Sequence, residues 1–259
     1  MEHGANVVEL LERDLMANVT LLKMMDMYQN KVESHIVRKN NHAGVLLLLP
    51  TEASVYDSHT YPETRYVVFL DYSDDAVLPL LLERLPAQTK VVLKLQRAGC
   101  AERLSGWMQL RHARTYWSYT CSPAAVYKSD AGVTANHELD EELVELWTGQ
   151  GYGRKEIESY FKGGAVSYAI WERGAAVSAC MAFPNYGRIW EVGAVHTVER
   201  RRGSGLAKRV VGTALHHLLR KGLTPRYQVA ETNGASIRLA ESLGLLPFVK
   251  LDHYVADTK

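Results

Sequence analysis

The most informative segment of this sequence is Arg200-Arg-Arg-Gly-Ser-Gly-Leu-Ala207, which lies between a strand-like stretch and a long amphipathic helical stretch. Its two glycines permit a tight turn and let the backbone approach a ligand without an intervening Cβ. The first N–H groups of a helix lack intrahelical acceptors, and together with the helix dipole they attract anions. The segment therefore predicts a turn that binds phosphate groups, with three arginines supplying additional positive charge.

Two familiar phosphate motifs do not fit this segment. The dinucleotide motif G-x-G-x-x-G requires a third glycine where Lys208 stands, and no Gly-Lys-Ser/Thr follows as it does in a P-loop. Considered alone, the segment also fits a helix start with a flexible, solvated basic turn. The flanking sequence is needed to choose between a phosphate site and a plain helix start.

Three flanking segments supply that context. They are Val195-His-Thr197, Val229-Ala-Glu-Thr-Asn233 with Ser236 and Leu239, and Leu243-Gly-Leu245. Together with the turn, they resemble the GCN5-related N-acetyltransferases (GNAT) over residues 122–257. In that family R-x-x-G-x-G/A is the coenzyme A pyrophosphate motif, and the N-x-x-S/A helix ending in L-G-F is its second half. The strand that carries Glu191 resembles the glycine N-acyltransferase-like branch of the family.

The resemblance implies a mixed α/β fold, the GNAT fold, in which the fourth and fifth strands of a mixed sheet splay apart. The domains are predicted as residues 1–121, a degenerate GNAT-like α/β domain, and residues 122–259, the catalytic acetyltransferase domain. The two halves have related orders of helices and strands, although no residue-level repeat is visible. Because the N-terminal half has no R-x-x-G-x-G turn, it is expected to bind no coenzyme.

Hydrophobic periodicity predicts the elements on which these residues lie. One helix is predicted over residues 7–30, and a strand is predicted over residues 126–134. A strand over residues 188–197 leads into the turn, a helix over residues 203–221 follows it, and a last strand covers residues 248–255.

The resemblance implies that acetyl-CoA is the acyl donor and that no metal takes part. The pantetheine arm is expected in the splay, paired with the strand backbone at Val195, His196 and Thr197 as an added strand would be. Asn233 is expected to hydrogen-bond this arm, with Ser236 near it. The pyrophosphate is expected on the turn, at Arg202, Gly203, Ser204, Gly205, Leu206 and Ala207.

Acyl transfer to an amine requires a neutral nitrogen, and a free α-amine has a pKa of about 8, so a base helps at neutral pH. Glu191 is the predicted base, since it matches the position of the base in the glycine N-acyltransferase-like branch. Strand alternation places Glu191 on the face of Val195 and Thr197, whereas His196 faces away. The competing interpretation is an exposed strand carboxylate paired with Arg188 or another cation. The backbone N–H of Val195 is expected to stabilise the oxyanion.

The leaving thiolate needs a proton, and many members of the family place a tyrosine where this sequence has Ala240. Tyr254 is the predicted substitute, and His196 or solvent could also serve. Packing of Tyr254 on the last strand is the competing interpretation. A non-catalytic protein that binds acyl-CoA is consistent with the missing tyrosine.

Composition limits the remaining function classes. The chain has 259 residues with a net charge of +1, which does not indicate a nucleic-acid or membrane-surface binder. No apolar run approaches the roughly 20 residues that span a bilayer. Three dispersed cysteines predict neither a disulfide framework nor a zinc site, which favours a cytoplasmic location. The expected acceptor is a small-molecule amine, with a protein amine as the alternative.

Overall fold

The structure, a computed structural model, describes residues 2–259, with side chains from Val7 onward. Within these residues the helices are α1 (Glu2–Glu12), α2 (Val19–Met27), α3 (Val55–Thr60), α4 (Leu78–Leu82), α5 (Cys100–Leu104), α6 (Glu141–Thr148), α7 (Arg154–Lys162), α8 (Leu206–Arg220) and α9 (Gly234–Ser242). The strands are β1 (Glu33–Lys39), β2 (His42–Pro50), β3 (Tyr66–Tyr72), β4 (Lys90–Leu95), β5 (Arg111–Cys121), β6 (Thr134–Asn136), β7 (Val166–Glu172), β8 (Ala175–Tyr186), β9 (Ile189–Thr197), β10 (Thr224–Ala230) and β11 (Leu245–Asp257). The predicted mixed α/β class is confirmed.

The chain divides into two compact units. The first unit contains Met1–Trp117 and Phe248–Lys259, and the second contains Ser118–Pro247. This grouping differs from the predicted domains 1–121 and 122–259 because the last strand, β11, pairs antiparallel with β4. Compactness therefore assigns residues 248–259 to the first unit, although they follow the second in sequence.

The first unit is built on a sheet that begins as an antiparallel meander. Strands β1, β2 and β3 pair antiparallel in succession, and β4 then pairs parallel to β3. Parallel pairing requires a crossover connection, which here contains the short helix α4. The inner strands are buried along nearly their whole length and carry runs of valine and leucine, as expected for strands covered on both faces.

The second unit repeats this order of elements. Strands β7, β8 and β9 form an antiparallel meander, β6 joins its outer edge, and β10 pairs parallel to β9 after the crossover helix α8. Helices α6 and α7 bury apolar side chains against one face of the sheet. Helix α8 buries an apolar stripe, and Tyr168 on β7 contacts His217 of this helix. The related element orders predicted for the two halves are present.

Two predicted elements are wrong. Residues 7–30 form two helices rather than one, because the chain turns between Glu12 and Val19. The buried Asn18 stabilises this break, since its Nδ2 donates to the Leu11 carbonyl at 3.0 Å and to Asp71 Oδ2 at 3.0 Å. Residues 126–133 form no strand, and Tyr127 instead donates to the Leu243 carbonyl at 2.9 Å. None of the described helices is long and apolar enough to cross a membrane.

A buried ion pair stabilises the first unit. Lys94 Nζ on β4 lies 2.7 Å from Asp57 Oδ1 and 2.9 Å from Asp57 Oδ2, and both side chains are more than nine-tenths buried. Burial lowers the pKa of Lys94 from its ordinary value, and Asp57 opposes that effect. Each charge stabilises the other, because burying either one without its partner would cost free energy.

We expect Asp57→Ala to lower the free energy of unfolding by about 3–5 kcal/mol, because it leaves the Lys94 charge buried without a carboxylate. The double variant Asp57→Ala with Lys94→Met should recover most of this loss. Chemical denaturation followed by circular dichroism measures both. Glu63→Ala is the control, since it breaks an exposed pair with Arg111 and should leave the midpoint nearly unchanged. Equal effects of Asp57→Ala and Glu63→Ala would contradict the prediction.

Candidate functional site

The two central strands of the second unit pair over a short distance only. The parallel register between β9 and β10 runs from Ile189↔Thr224 to Glu191↔Arg226. Past this last pair lies a cavity of about 240 Å³. It is lined by residues 192–196 of β9, residues 227–230 of β10, Asn233, Ser236, and Trp147, Gln150 and Tyr152 of the α6–α7 region. The strands therefore frame an open space at the predicted splay.

A β-bulge shapes the β9 wall of this cavity. Ala194 has φ of +51°, which is unusual for a residue with a Cβ, and the β8–β9 register shifts opposite it. The indole Nε1 of Trp147 donates to the Ala194 carbonyl at 2.8 Å. Burial raises the pKa of Tyr152, and a hydrogen bond with the Ala194 backbone opposes that rise. Two aromatic side chains thus hold the strained residue in place.

The bulge overturns part of the predicted strand alternation. Across β8 and β9, Phe183 opposes Glu191, and Ala179 opposes His196. Since alternate residues of β8 share one face, His196 lies on the face of Glu191. The predictions that His196 faces away and that Val195 and Thr197 share the Glu191 face are wrong, because the extra residue at Ala194 reverses the alternation.

Glu191 is buried, and both its oxygens are occupied. Its Oε2 accepts from Arg226 Nη1 at 2.7 Å and from Asn185 Nδ2 at 2.9 Å, and its Oε1 accepts from the backbone N–H of Gln228 at 2.9 Å. Only 7% of the residue is exposed, so it is not the exposed carboxylate of the competing interpretation. Its cation partner is Arg226, whereas Arg188 donates to the Gly222 carbonyl.

The turn at residues 200–207 has the backbone geometry predicted for it. Gly203 and Gly205 both have φ of +77°, and a Cβ added to either would meet no atom within 4 Å. Gly205 is the N-cap of α8 and gives it no side-chain cap, which leaves the first helical N–H groups without an intrahelical acceptor. Ser204 Oγ donates to the Arg201 carbonyl at 2.5 Å, and Arg202 Nε donates to the Thr197 carbonyl at 3.3 Å. The turn is open on the side where an anion would approach.

Asn233 and Ser236 begin helix α9 and line the cavity. Asn233 is the N-cap, because its Oδ1 accepts from the Ser236 backbone N–H at 3.1 Å. The amide Nδ2 is the part of Asn233 left to donate to a ligand. Gly244 follows the helix with φ of +70°, a conformation that commonly ends an α-helix.

His196 lies at the point where the cavity meets the turn. It lines the cavity, and burial lowers its pKa below the ordinary value. The Arg202 guanidinium lowers this pKa further, which places a cation of the turn close to the cavity wall. Of the predicted site residues, Val195, His196, Asn233 and Ser236 line the cavity directly.

Tyr254 lies in the first unit. On β11 it stands opposite Leu93 of β4, and its ring packs edge-on against His112 with centroids 5.2 Å apart. The residues that line the cavity of the second unit do not include it. Its role as the acid therefore stays a prediction that no contact in the second unit supports.

The resemblance places Trp147 and Tyr152 in the region that shapes the acceptor pocket in this family, although packing is the commoner explanation for such aromatic residues. Sequence reasoning predicts no role for Arg226 and Tyr227 beyond the strand. Arg226 had a usable signal, since a charged residue within a short buried strand calls for a partner. Tyr227 is 3% exposed and lines the cavity, and burial raises its pKa to about 12. Within residues 2–259, no group of three or more His, Cys, Asp or Glu is arranged to hold a metal ion.

The chain is similar to known proteins in sequence and in fold. The family described as GNAT acetyltransferase matches residues 127–254. An acetyltransferase from the GNAT family of Colwellia psychrerythraea has a TM-score of 0.62 at 12% identity, over 95% of this chain and 97% of its own. A GCN5-related N-acetyltransferase from Kribbella flavida has a TM-score of 0.57 at 17% identity, over 94% and 95%.

A third solved structure is a tandem GNAT protein from the clavulanic acid biosynthesis pathway. It has a TM-score of 0.55 at 14% identity, over 93% of this chain and 88% of its own. At these identities the structures show a shared fold. No curated protein matches the chain. Over residues 127–254 the chain is therefore similar to the GNAT acetyltransferase family.

Proposed function

We propose that the second unit transfers an acetyl group from acetyl-CoA to a primary amine by direct attack of nitrogen on the thioester. The observation that carries this proposal is the cavity past Glu191↔Arg226, on a strand that leads into the glycine turn of α8. The donor has a charged pyrophosphate at one end and a neutral arm at the other. The turn suits the pyrophosphate, and the cavity, which has no carboxylate or ammonium in its lining, suits the arm.

The backbone of β9 supports the proposed oxyanion site. The Ala194 carbonyl accepts a hydrogen bond from the indole N–H of Trp147, and Tyr152 interacts with the backbone of the same residue. The next N–H along the strand is that of Val195, which lines the cavity. We assign it to the carbonyl oxygen of the thioester, which becomes negatively charged as nitrogen attacks. The strained bulge aims this donor, and the two aromatic side chains keep the bulge in place.

Glu191 is the proposed base, and its position motivates the placement within the glycine N-acyltransferase-like branch. It lies at the closed end of the splay, one alternate residue from Gly193, which lines the cavity. The amine first releases a proton, and a carboxylate at this place is positioned to accept it. Arg226 and Asn185 hold the carboxylate in position, since both donate to it.

The proposed acceptor is a small-molecule amine in a cytoplasmic setting. A protein amine is the alternative acceptor, and binding of acyl-CoA without catalysis is the alternative function. A screen of free amines and peptide amines with native protein and acetyl-CoA separates the three. Bound acetyl-CoA with no turnover on any of these amines would favour the non-catalytic alternative.

We expect Gly203→Glu to abolish acetyl-CoA binding, because it strains a residue at positive φ and places a carboxylate where the pyrophosphate is proposed to lie. Calorimetry should give one site per native chain and none in the variant. In a thermal melt, acetyl-CoA at about 100 times its Kd should add about 2.7 kcal/mol to native stability. Gly187→Glu is the control, with φ of +53° and open space but outside the turn. Unchanged binding in Gly203→Glu would exclude the turn as the coenzyme site.

A double-variant cycle separates a chemical role of Glu191 from a structural one. We expect Glu191→Gln and Arg226→Gln each to cost about 3–5 kcal/mol of stability, because each leaves one buried charge alone. The double variant should recover most of this stability. If Glu191 is the base, the double variant should still turn over about 10²–10⁴ times more slowly than native protein.

The measurements are kcat with the best amine of the screen and the denaturation midpoint of each variant. Recovery of activity together with stability in the double variant would show that Glu191 serves only to hold Arg226. His196→Gln is the companion variant, since His196 shares the face of Glu191 and burial keeps its imidazole neutral to lower pH. A larger loss of kcat in His196→Gln than in the double variant would transfer the base assignment to His196.

A further inference from the structure

We propose that the hydroxyl of Tyr227 donates a hydrogen bond to the sulfur of coenzyme A as the thioester breaks. This inference rests on the proposed function and names the group that stabilises its leaving thiolate. Tyr254, the residue predicted for this end of the reaction, lies in the first unit. Tyr254 is not among the residues that line the cavity, whereas Tyr227 is.

Tyr227 has the required position. It is the first β10 residue after the Glu191↔Arg226 pair, so it stands where the strands begin to separate. Its side chain is almost fully buried, and it lines the cavity together with Ser236 at the start of α9. The arm that carries the sulfur is proposed to lie in this cavity, beside Tyr227.

The hydroxyls of Tyr227 and Ser236 interact, and this interaction lowers the pKa of Tyr227, although burial raises it by more, to about 12. Both residues line the cavity. We assign Ser236 as the donor to the Tyr227 oxygen, which leaves the phenolic proton for an atom bound in the cavity.

Helix α9 carries an alanine rather than a tyrosine at position 240, and its Ser236 hydroxyl is assigned to Tyr227. Ala240 lies one turn beyond Ser236, on the same face of the helix, and is completely buried. Its methyl group has no proton to give. A tyrosine that reaches in from the strand supplies a hydroxyl where the helix carries only a small apolar side chain.

The chemistry fixes the role as hydrogen-bond donation. As the C–N bond forms, the C–S bond breaks and its electron pair passes to sulfur, while the proton lost by the amine goes to the base. A thiol has a pKa of about 8.5, far below that of Tyr227, so full proton transfer from Tyr227 to the thiolate is uphill. Tyr227 stabilises the thiolate by a charge-assisted hydrogen bond, and solvent protonates the sulfur afterwards.

The test needs no acceptor amine. Coenzyme A labelled with ¹³C at the methylene next to sulfur is bound to native protein and to Tyr227→Phe, and its chemical shift is followed against pH. A donor that favours the thiolate lowers the pKa of the bound thiol. We expect this pKa to be about 1–2 pH units higher in Tyr227→Phe, the size of a hydrogen bond to a charged group.

Tyr168→Phe is the matched control, because Tyr168 is a buried strand tyrosine of the same unit that does not line the cavity. It should leave the thiol pKa at the native value. Ser236→Ala retains the whole Tyr227 side chain and should shift the thiol pKa in the same direction by a smaller amount. These variants keep the inference testable even where Tyr227→Phe folds poorly.

The outcomes distinguish this inference from the proposed function. Equal thiol pKa values in native protein and Tyr227→Phe, with normal coenzyme binding, overturn the role of Tyr227 and leave coenzyme binding intact. Failure of native protein to bind coenzyme A overturns both proposals. With an amine in hand, Tyr227→Phe should lower kcat with unchanged KM for acetyl-CoA, and the selenium analogue of acetyl-CoA should reduce this defect because selenolate leaves more readily.

Discussion

The second unit depends on how parallel pairing ends between β9 and β10. Where two strands diverge, backbone N–H groups lose their ladder acceptors, and a buried N–H without an acceptor costs free energy. The N–H of Gln228 is such a group, and Glu191 Oε1 accepts its hydrogen bond at 2.9 Å. Arg226 and Asn185 hold the other oxygen. The carboxylate thus allows the strands to separate without an unsatisfied donor, and the cavity and the access of a ligand follow from that separation.

The first unit ends its parallel pairing in a related way. The register of β3 and β4 closes at Phe69↔Lys94, so both units carry a buried cation on the inner strand at the last pair. In the first unit the carboxylate comes from Asp57 of α3 rather than from the neighbouring strand. The two units therefore share a device for neutralising the buried cation but differ in where its partner originates. In the second unit, the Glu191 carboxylate also accepts the backbone N–H of Gln228, two residues after Arg226.

Features of the site that depend on a residue's own chemistry could be predicted from the sequence. Features that depend on contacts between residues distant in the chain could not. The turn at Gly203 and Gly205 is encoded by residue type, because positive φ is available to glycine at little cost. The N-cap at Asn233 is encoded by side-chain chemistry in the same way. The bulge at Ala194 has no such signal, since alanine does not favour positive φ, and its cause lies in Trp147 and Tyr152, more than forty residues away in the chain.

The pairing of the last strand could not be predicted for the same reason. Periodicity predicts that residues 248–255 form a strand, as they do, but a strand carries no record of its partner. β11 pairs with β4 through contacts separated by about 160 positions, so its partner is fixed by register rather than by composition. The role of Tyr254 as the acid stays a prediction, since sequence order does not determine which strand β11 pairs with.

The burial of Glu191 also governs how its role can be inferred from mutation. A buried carboxylate that ends a ladder, neutralises Arg226 and serves chemistry affects folding and activity through the same atoms. Loss of activity in a single variant then has at least two sufficient causes, since an unpaired buried arginine can distort the strands that frame the cavity. An apolar pair of similar volume would remove both charges, but it would leave the Gln228 N–H without the acceptor that Glu191 supplies, which costs free energy. The splay therefore accounts for a hydrogen-bond acceptor at position 191 even before any chemistry is considered.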